Sequence, residues 1–263
     1  MGGHGGSSGL QKNDGMPTQE AILAQIQGLY ENLQNQKAVA DSLPGINGNP
    51  WPDDADDNHL DYPGGGGLGI YVQFGGGPKN GGVDKQTAKD MYDAVRSFTG
   101  SGYQWIRDAQ ASGDTTGTYG KRGQLCEDFI AAGVATGNGW TGGPTYRGID
   151  GISNAAFNAY ANLKPGDSVD PNFGGTASWS TNKDTSFSGF SGGTNSVVFV
   201  HAGPNQPKGV SVDAISANSG EMEVLVSKDS KYKVQHVAKY KGQGWNGVGV
   251  SSTEYLLVYV EDA

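Results

Sequence analysis

The chain has 263 residues, a formal net charge of −9 and a pI near 4.8, so general binding of nucleic acids or anionic membranes is not expected as its main function. Its length suits one large domain, or a domain with an extension, and is sufficient to bury a sizeable core. The single cysteine, Cys126, precludes a disulfide within the chain, and the helix-like run around it predicts a core residue rather than a nucleophile.

Residues 1–82 are rich in Gly, Pro, Asp and Asn, with nine acidic residues against three basic ones. Such a composition buries little apolar surface, which predicts an extended or partly disordered N-terminal extension. Within it, residues 17–43 are the exception, because Ile22, Ile26 and Leu33 recur at helical spacing. One amphipathic helix in a polar segment predicts docking, either onto its own domain or onto a partner.

Targeting signals are not recognisable in the sequence. The first twenty residues lack the apolar core of a signal peptide, and no run of eighteen apolar residues occurs. The expectation is a soluble protein that acts in the cytosol or is delivered into a target cell.

A glycine motif near the end of the extension resembles a dinucleotide-binding loop. Gly64, Gly66 and Gly69 match its G-x-G-x-x-G spacing, but residues 61–63 do not read as a strand and residues 70–74 read as β-like rather than helical. A Rossmann unit, which needs a strand before the motif and a helix after it, is therefore excluded.

An acidic loop in the same segment imitates a calcium site. Asp54, Asp56 and Asn58 resemble its first ligands, but His59 stands where Gly is needed and Gly65 where a bidentate Glu is needed. The four histidines of the chain show no ligand spacing either, so the sequence predicts no metal site.

From Val83 onward the pattern changes to helices followed by strands. Helices are predicted after Asp84 as N-cap, at 124–132 and at 155–163. Strands are predicted at 196–201, 209–215, 221–226, 232–240 and 254–261. Helices followed by strands favour an α+β domain built on antiparallel sheets.

Two carboxylates begin one of these strands. In a strand, alternate side chains share a face, so Glu221 and Glu223 are expected to project together. Paired carboxylates suit a reaction that develops positive charge on a sugar, because they hold a cation more tightly than its neutral ground state. The alternative is an edge strand that uses two Glu residues to prevent aggregation.

Three short motifs, in chain order, carry a family resemblance: Tyr146-Arg147-Gly148, Trp179-Ser180-Thr181 and Glu221-Met222-Glu223. Their order and spacing resemble the Arg, Ser and Glu-x-Glu signature of the arginine-specific mono-ADP-ribosyltransferases. The resemblance extends over roughly residues 84–263. It implies a small helical lobe followed by a two-sheet antiparallel β core with NAD in the cleft, and it marks 83–263 as the catalytic domain.

The resemblance also implies a role for each motif residue. Arg147 would bind an NAD phosphate or ribose oxygen, and Gly148 would allow the backbone to approach the nicotinamide. Ser180 would orient Glu223 by a hydrogen bond, Glu223 would bind the ribose and stabilise the cation, and Glu221 would hold the acceptor guanidinium. Further NAD contacts are implied for the following residues: Thr181, Phe187 and Phe190.

The chain departs from the family pattern at two positions. The family's Ser-Thr-Ser is Ser180-Thr181-Asn182 here, and an Asn that commonly follows the helical Tyr by four positions is Arg107. The diphtheria-toxin-like branch is excluded, since it has His where this chain has Arg147.

The predicted function is thus transfer of ADP-ribose from NAD, as the only cofactor and without a metal, to an accessible arginine of a target protein. The alternatives are an NAD glycohydrolase on the same fold and a catalytically inactive structural or virion-associated protein. Because all four candidate catalytic residues lie beyond Gly82, a chain that begins near Val83 is expected to fold and to cleave NAD.

Overall fold

The computed structural model describes residues 59–78, 82–183, 185–186, 195–201, 208–241 and 254–263. The predicted helix at 17–43 and the acidic loop at 53–58 lie outside these ranges, as do Phe187 and Phe190. In the described part, no helix is long and apolar enough to cross a membrane.

Helices make up most of the N-terminal half of this structure. They are α1 Gly66–Gln73, α2 Lys85–Phe98, α3 Tyr103–Ser112, α4 Thr118–Ala135 and, after the first strand, α5 Asn154–Ala161. Helix α2 begins as predicted, because the Asp84 side chain accepts a hydrogen bond from the Thr87 amide at 2.8 Å. Its Met91, Val95 and Phe98 are buried along one face.

Strands dominate the C-terminal half. They are β1 Thr145–Ile149, β2 Ser168–Val169, β3 Ala177–Ser180, β4 Ser196–His201, β5 Gly209–Ser211, β6 Glu223–Val226, β7 Tyr232–Lys241 and β8 Glu254–Asp262. The prediction of an α+β domain with a helical lobe and a β core is confirmed.

The β core is one hydrogen-bonded sheet in the order β2-β7-β8-β4-β1-β3-β6-β5. Two antiparallel sheets were predicted, whereas the described strands form one sheet, whose two halves meet where β1 and β3 share the single register pair Tyr146↔Ser180. Only the β4–β8 pairing is parallel among the described strands. That pairing departs from a purely antiparallel core, and the long connection through β5, β6 and β7 is what allows it.

The two faces of the sheet are covered by separate hydrophobic clusters. Strand β6 illustrates the division, since Leu225 packs with the helical lobe while Val224 and Val226 pack on the opposite face. The helical lobe therefore packs on the β5–β6 part of the sheet, a second apolar layer packs on the opposite face, and the cleft lies near the seam where the two half-sheets meet.

Residues 59–78 precede the predicted boundary at Gly82, yet they pack with the helical lobe. Tyr62, Ile70 and Phe74 are fully buried in the same cluster as Phe129. Residues 66–73 are helical rather than β-like, so the expectations of an extended segment and of a β run here were both wrong. The high glycine content of this segment obscured the three core positions Tyr62, Ile70 and Phe74. Glycine is required at position 69, because a Cβ there would lie 2.6 Å from the Tyr62 carbonyl oxygen.

A chain that begins at Val83 is therefore expected to lose its cooperative unfolding transition. Removing each buried aromatic or aliphatic side chain costs about 2 to 5 kcal/mol, and together these losses approach the whole stability of a typical domain. Thermal unfolding followed by circular dichroism would test this, with a chain that begins at His59 as the control. Equal midpoints for the two chains would contradict the expectation.

Candidate active site

A cleft of about 370 Å³ opens between the helical lobe and the seam of the sheet. Its size falls in the range of small-molecule sites. Five of the predicted site residues line it: Arg147, Gly148, Ser180, Glu221 and Glu223. The structure thus brings together residues that lie up to 76 positions apart in the sequence.

Glu223 lies at the floor of the cleft and is only 3% exposed. Its carboxylate accepts hydrogen bonds from the Ser178 hydroxyl and, at 3.0 Å, from the Ser216 hydroxyl. Burial raises the pKa of Glu223 to about 7, the two serine hydrogen bonds oppose that rise, and the nearby Glu221 and Asp213 add to it. A carboxylate with this pKa is partly ionised at neutral pH and is held in one orientation.

Ser180 does not make the hydrogen bond that the resemblance implied. Its hydroxyl donates to the Glu221 carbonyl oxygen at 2.7 Å and accepts from the Asn182 amide at 3.0 Å. Ser178 lies two positions earlier on β3, and it takes the predicted role toward Glu223 together with Ser216. Strand alternation could have indicated Ser178, because residues two apart in a strand share a face.

Glu221 lies on a turn before β6 rather than within the strand. Met222 separates it from Glu223 and has a φ of +52°, which is uncommon for a residue with a side chain and ends the regular strand geometry. The Glu221 carboxylate is partly exposed to the cleft and has no hydrogen-bond partner among the described residues. Burial, and then the charge of Asp213, raise its pKa.

Two anchors hold this turn. The Asp213 carboxylate accepts from the amides of Gly220 at 3.0 Å and Met222 at 2.9 Å. At the end of α2, Thr99 accepts the Ala217 amide on its hydroxyl at 2.8 Å and the Asn218 side chain on its carbonyl at 2.9 Å. The predicted strand at 209–215 ends at Ser211, because a 3-10 turn follows at Asp213–Ile215. This turn brings the Asp213 carboxylate within hydrogen-bonding distance of the Gly220 and Met222 amides.

Arg147 reaches from β1 into the cleft. It donates from Nε to the Pro171 carbonyl oxygen and from Nη1 to the Ser178 carbonyl oxygen, both at 2.8 Å. Burial, and then the positive charge of Arg107, lower its pKa to about 9, so the guanidinium stays charged at neutral pH. Within the described ranges no carboxylate pairs with it, which leaves a partly buried positive charge suited to an anionic ligand.

Other predicted residues lie elsewhere. The Thr181 hydroxyl is buried and hydrogen-bonds His59 Nε2 at 3.1 Å, away from the residues that line the cleft. Cys126 is fully buried in the helical lobe, and burial raises the pKa of its thiol well above the usual range. In the described part of the chain, no three His, Cys, Asp or Glu side chains lie close enough to hold a metal ion.

The raised pKa of Glu223 makes the stability of the protein depend on pH. The folded-state pKa lies above the ordinary value of 4.5, so its contribution to stability is complete below pH 4.5 and is lost as the pH rises through 7. That loss is on the order of 3 kcal/mol.

Glu223→Gln provides the comparison, because glutamine cannot ionise. Its free energy of unfolding, minus that of the unchanged protein, is expected to increase between pH 4.5 and 7.5 in denaturant titrations. A difference that stays constant over this range would contradict the raised pKa.

Comparisons with known proteins establish the fold. No protein-family model and no curated protein sequence matches the chain. Among solved structures, the chain is similar to Plx2a, an ADP-ribosyltransferase toxin from Paenibacillus larvae, with a TM-score of 0.50 and 15% identity over 66% of this chain and 86% of that one. Exoenzyme S from Pseudomonas aeruginosa, in a complex with human 14-3-3 protein beta and Carba-NAD, matches with a TM-score of 0.45 and 19% identity over 87% of this chain and 89% of that one. The likeness to Plx2a shows that the chain has the fold of ADP-ribosyltransferase toxins.

Proposed function

We propose that this protein cleaves NAD and transfers ADP-ribose to an arginine side chain of a target protein, releasing nicotinamide. The observation that carries the proposal is the buried Glu223, fixed by Ser178 and Ser216 on the floor of a cleft that also holds Arg147 and the unpaired carboxylate of Glu221. The toxin fold and the ordered sequence motifs support the same function.

Each step of the reaction has a residue suited to it. Arg147 is a partly buried cation that would hold the donor through its phosphate, so that the nicotinamide ribose lies toward Glu223. As the bond between ribose C1′ and nicotinamide breaks, positive charge develops on the sugar, and an ionised Glu223 would stabilise it. Little of this stabilisation exists before the bond breaks, so it lowers the barrier.

Glu221 would serve the acceptor. A guanidinium binds a carboxylate through paired hydrogen bonds, and Glu221 offers an unpaired carboxylate at the cleft. When the guanidinium nitrogen bonds to C1′, one proton must leave it, and Glu221 is the nearby base that can accept it. Burial raises the pKa of Glu221, which favours that proton transfer.

The test is incubation with labelled NAD, with and without agmatine as a small guanidine acceptor. Nicotinamide release together with ADP-ribosyl-agmatine would support the transferase. Nicotinamide and free ADP-ribose without an agmatine product would indicate an NAD glycohydrolase, and no turnover would indicate an inactive protein with this fold. Mass spectrometry of modified peptides from a treated lysate would then identify the target. A docking partner for the 1–82 extension remains a prediction.

A further inference from the structure

The cleft continues beyond Arg147 to a second arginine and an exposed aromatic ring. Arg107 on α3 and Phe173 line the same cleft as Glu223. Neither residue belongs to the motifs of the family resemblance, and Arg107 is one of the positions where the chain departs from that pattern.

A chain of contacts fixes the spatial order of these groups. Glu223 bonds the Ser178 hydroxyl, and the Ser178 carbonyl accepts from Arg147. Arg147 also donates to Pro171, and Arg107 donates from Nη2 to the neighbouring Asn172 carbonyl oxygen at 3.2 Å. The next residue is Phe173, whose ring centroid lies 5.7 Å from the Arg107 Cζ. The contacts therefore connect Glu223, Arg147, Arg107 and Phe173 in that order.

The turn that carries Phe173 holds the ring in a strained position. The Asp170 carboxylate accepts from the amides of Asn172 and Gly174, both at 2.9 Å. Between them, Phe173 has a φ of +54° and a side chain that is 45% exposed. A left-handed backbone is costly for a bulky residue, and the partly exposed ring gains only part of the stabilisation that full burial would give. Strain of this kind concentrates where ligands bind.

The guanidinium of Arg107 has incompletely satisfied hydrogen-bonding groups. Its Nε is buried without a hydrogen-bond partner in the structure. Burial lowers its pKa, and among the described residues no carboxylate lies within ion-pair distance of its guanidinium. Two neighbouring guanidinium groups repel each other, so a ligand with two negative charges would relieve both.

We propose that Arg107 and Phe173 bind the adenosine-diphosphate half of the donor, with Arg107 and Arg147 holding the diphosphate between them and Phe173 stacking on the adenine. The proposal rests on the proposed function, since it takes NAD as the donor. NAD itself runs from nicotinamide and ribose through the diphosphate to adenosine, and this order matches that of Glu223, the two arginines and Phe173. Aromatic rings stack readily on bases, and arginine pairs match phosphate geometry.

Phe173→Gly is the most informative variant, because glycine adopts a positive φ without strain and the variant should fold at least as well as the unchanged protein. We expect KM for NAD to rise about tenfold with kcat within twofold, as loss of a base–aromatic stack predicts. Binding of ADP, measured by calorimetry, is expected to weaken by a similar factor, while binding of nicotinamide mononucleotide, which has no adenine, stays unchanged. Phe173→Tyr should restore both values.

The matched control is Trp105→Ala, which removes an exposed aromatic ring of the same lobe that packs against Tyr119 rather than lining the cleft. It should change none of these constants. Arg107→Gln is expected to weaken ADP more than adenosine. The proposal is overturned if Phe173→Gly leaves ADP binding unchanged, if it weakens ADP and nicotinamide mononucleotide equally, or if ADP does not bind the unchanged protein. Absence of NAD turnover would refute the proposed function separately, because the binding comparison needs no catalysis.

Discussion

Glu223→Gln is expected to lower kcat for both NAD hydrolysis and ADP-ribose transfer by about 10² to 10³-fold. Glutamine keeps the size of the side chain and its contacts with Ser178 and Ser216, but it has no negative charge to stabilise the developing cation. KM for NAD should change little, because the lost interaction belongs to the transition state. Initial rates of nicotinamide release, with labelled NAD, measure the effect.

Ser178→Ala is the companion variant for this prediction. It leaves the carboxylate in place and removes one of its two orienting hydroxyls, so a smaller loss of about tenfold is expected. Retention of half the activity by Glu223→Gln would refute its role as the group that stabilises the cation.

Glu221→Gln is expected to separate the two activities. Transfer to agmatine should fall by about 10²-fold, because glutamine cannot pair with a guanidinium as an ion or accept its proton. Hydrolysis of NAD should stay within about threefold, since Glu221 lies on the turn and Glu223 keeps its hydrogen bonds. The ratio of ADP-ribosyl-agmatine to free ADP-ribose, measured in one reaction, reports the separation directly.

Glu261→Gln is the charge-matched control, because Glu261 is exposed on β8 and is not part of the cleft lining. It should leave the product ratio unchanged. If Glu221→Gln reduced hydrolysis as much as transfer, Glu221 would have to be assigned to the cleavage of NAD.

The sequence was informative where side-chain chemistry repeats with a regular period. The Asp84 cap, the apolar face of α2 and the strand at 196–201 were all predicted from local patterns. The candidate site was indicated by four residues in a fixed order, and all four line one cleft in the structure.

Local sequence patterns could not predict structural features that depend on residues distant in the sequence. Helix α1 contains three glycines in eight residues, which obscured it in the sequence, and it becomes recognisable only through the burial of Ile70 against the lobe. The sequence pattern predicts Glu221 as a strand residue. In the structure it lies on a turn, because the Asp213 side chain, eight positions earlier, accepts hydrogen bonds from the amides on both sides of it. In the sequence, Arg107 is only a departure from a motif. Its position in the cleft becomes clear from its hydrogen bond to the backbone of a turn 65 residues later.

The single residue pair between β1 and β3 gives Arg147 a second task. The seam has one register pair. The hydrogen bond from the Arg147 guanidinium to the Ser178 carbonyl oxygen therefore provides an additional link between the two half-sheets. Glu223 stands on one half and Arg147 on the other, so under the proposed function the same side chain would set the spacing between the sugar and phosphate subsites and bind the donor. Substitution of Arg147 would then loosen the seam as well as weaken the proposed phosphate binding, and lysine, with one point charge and no planar guanidinium, could replace neither function fully.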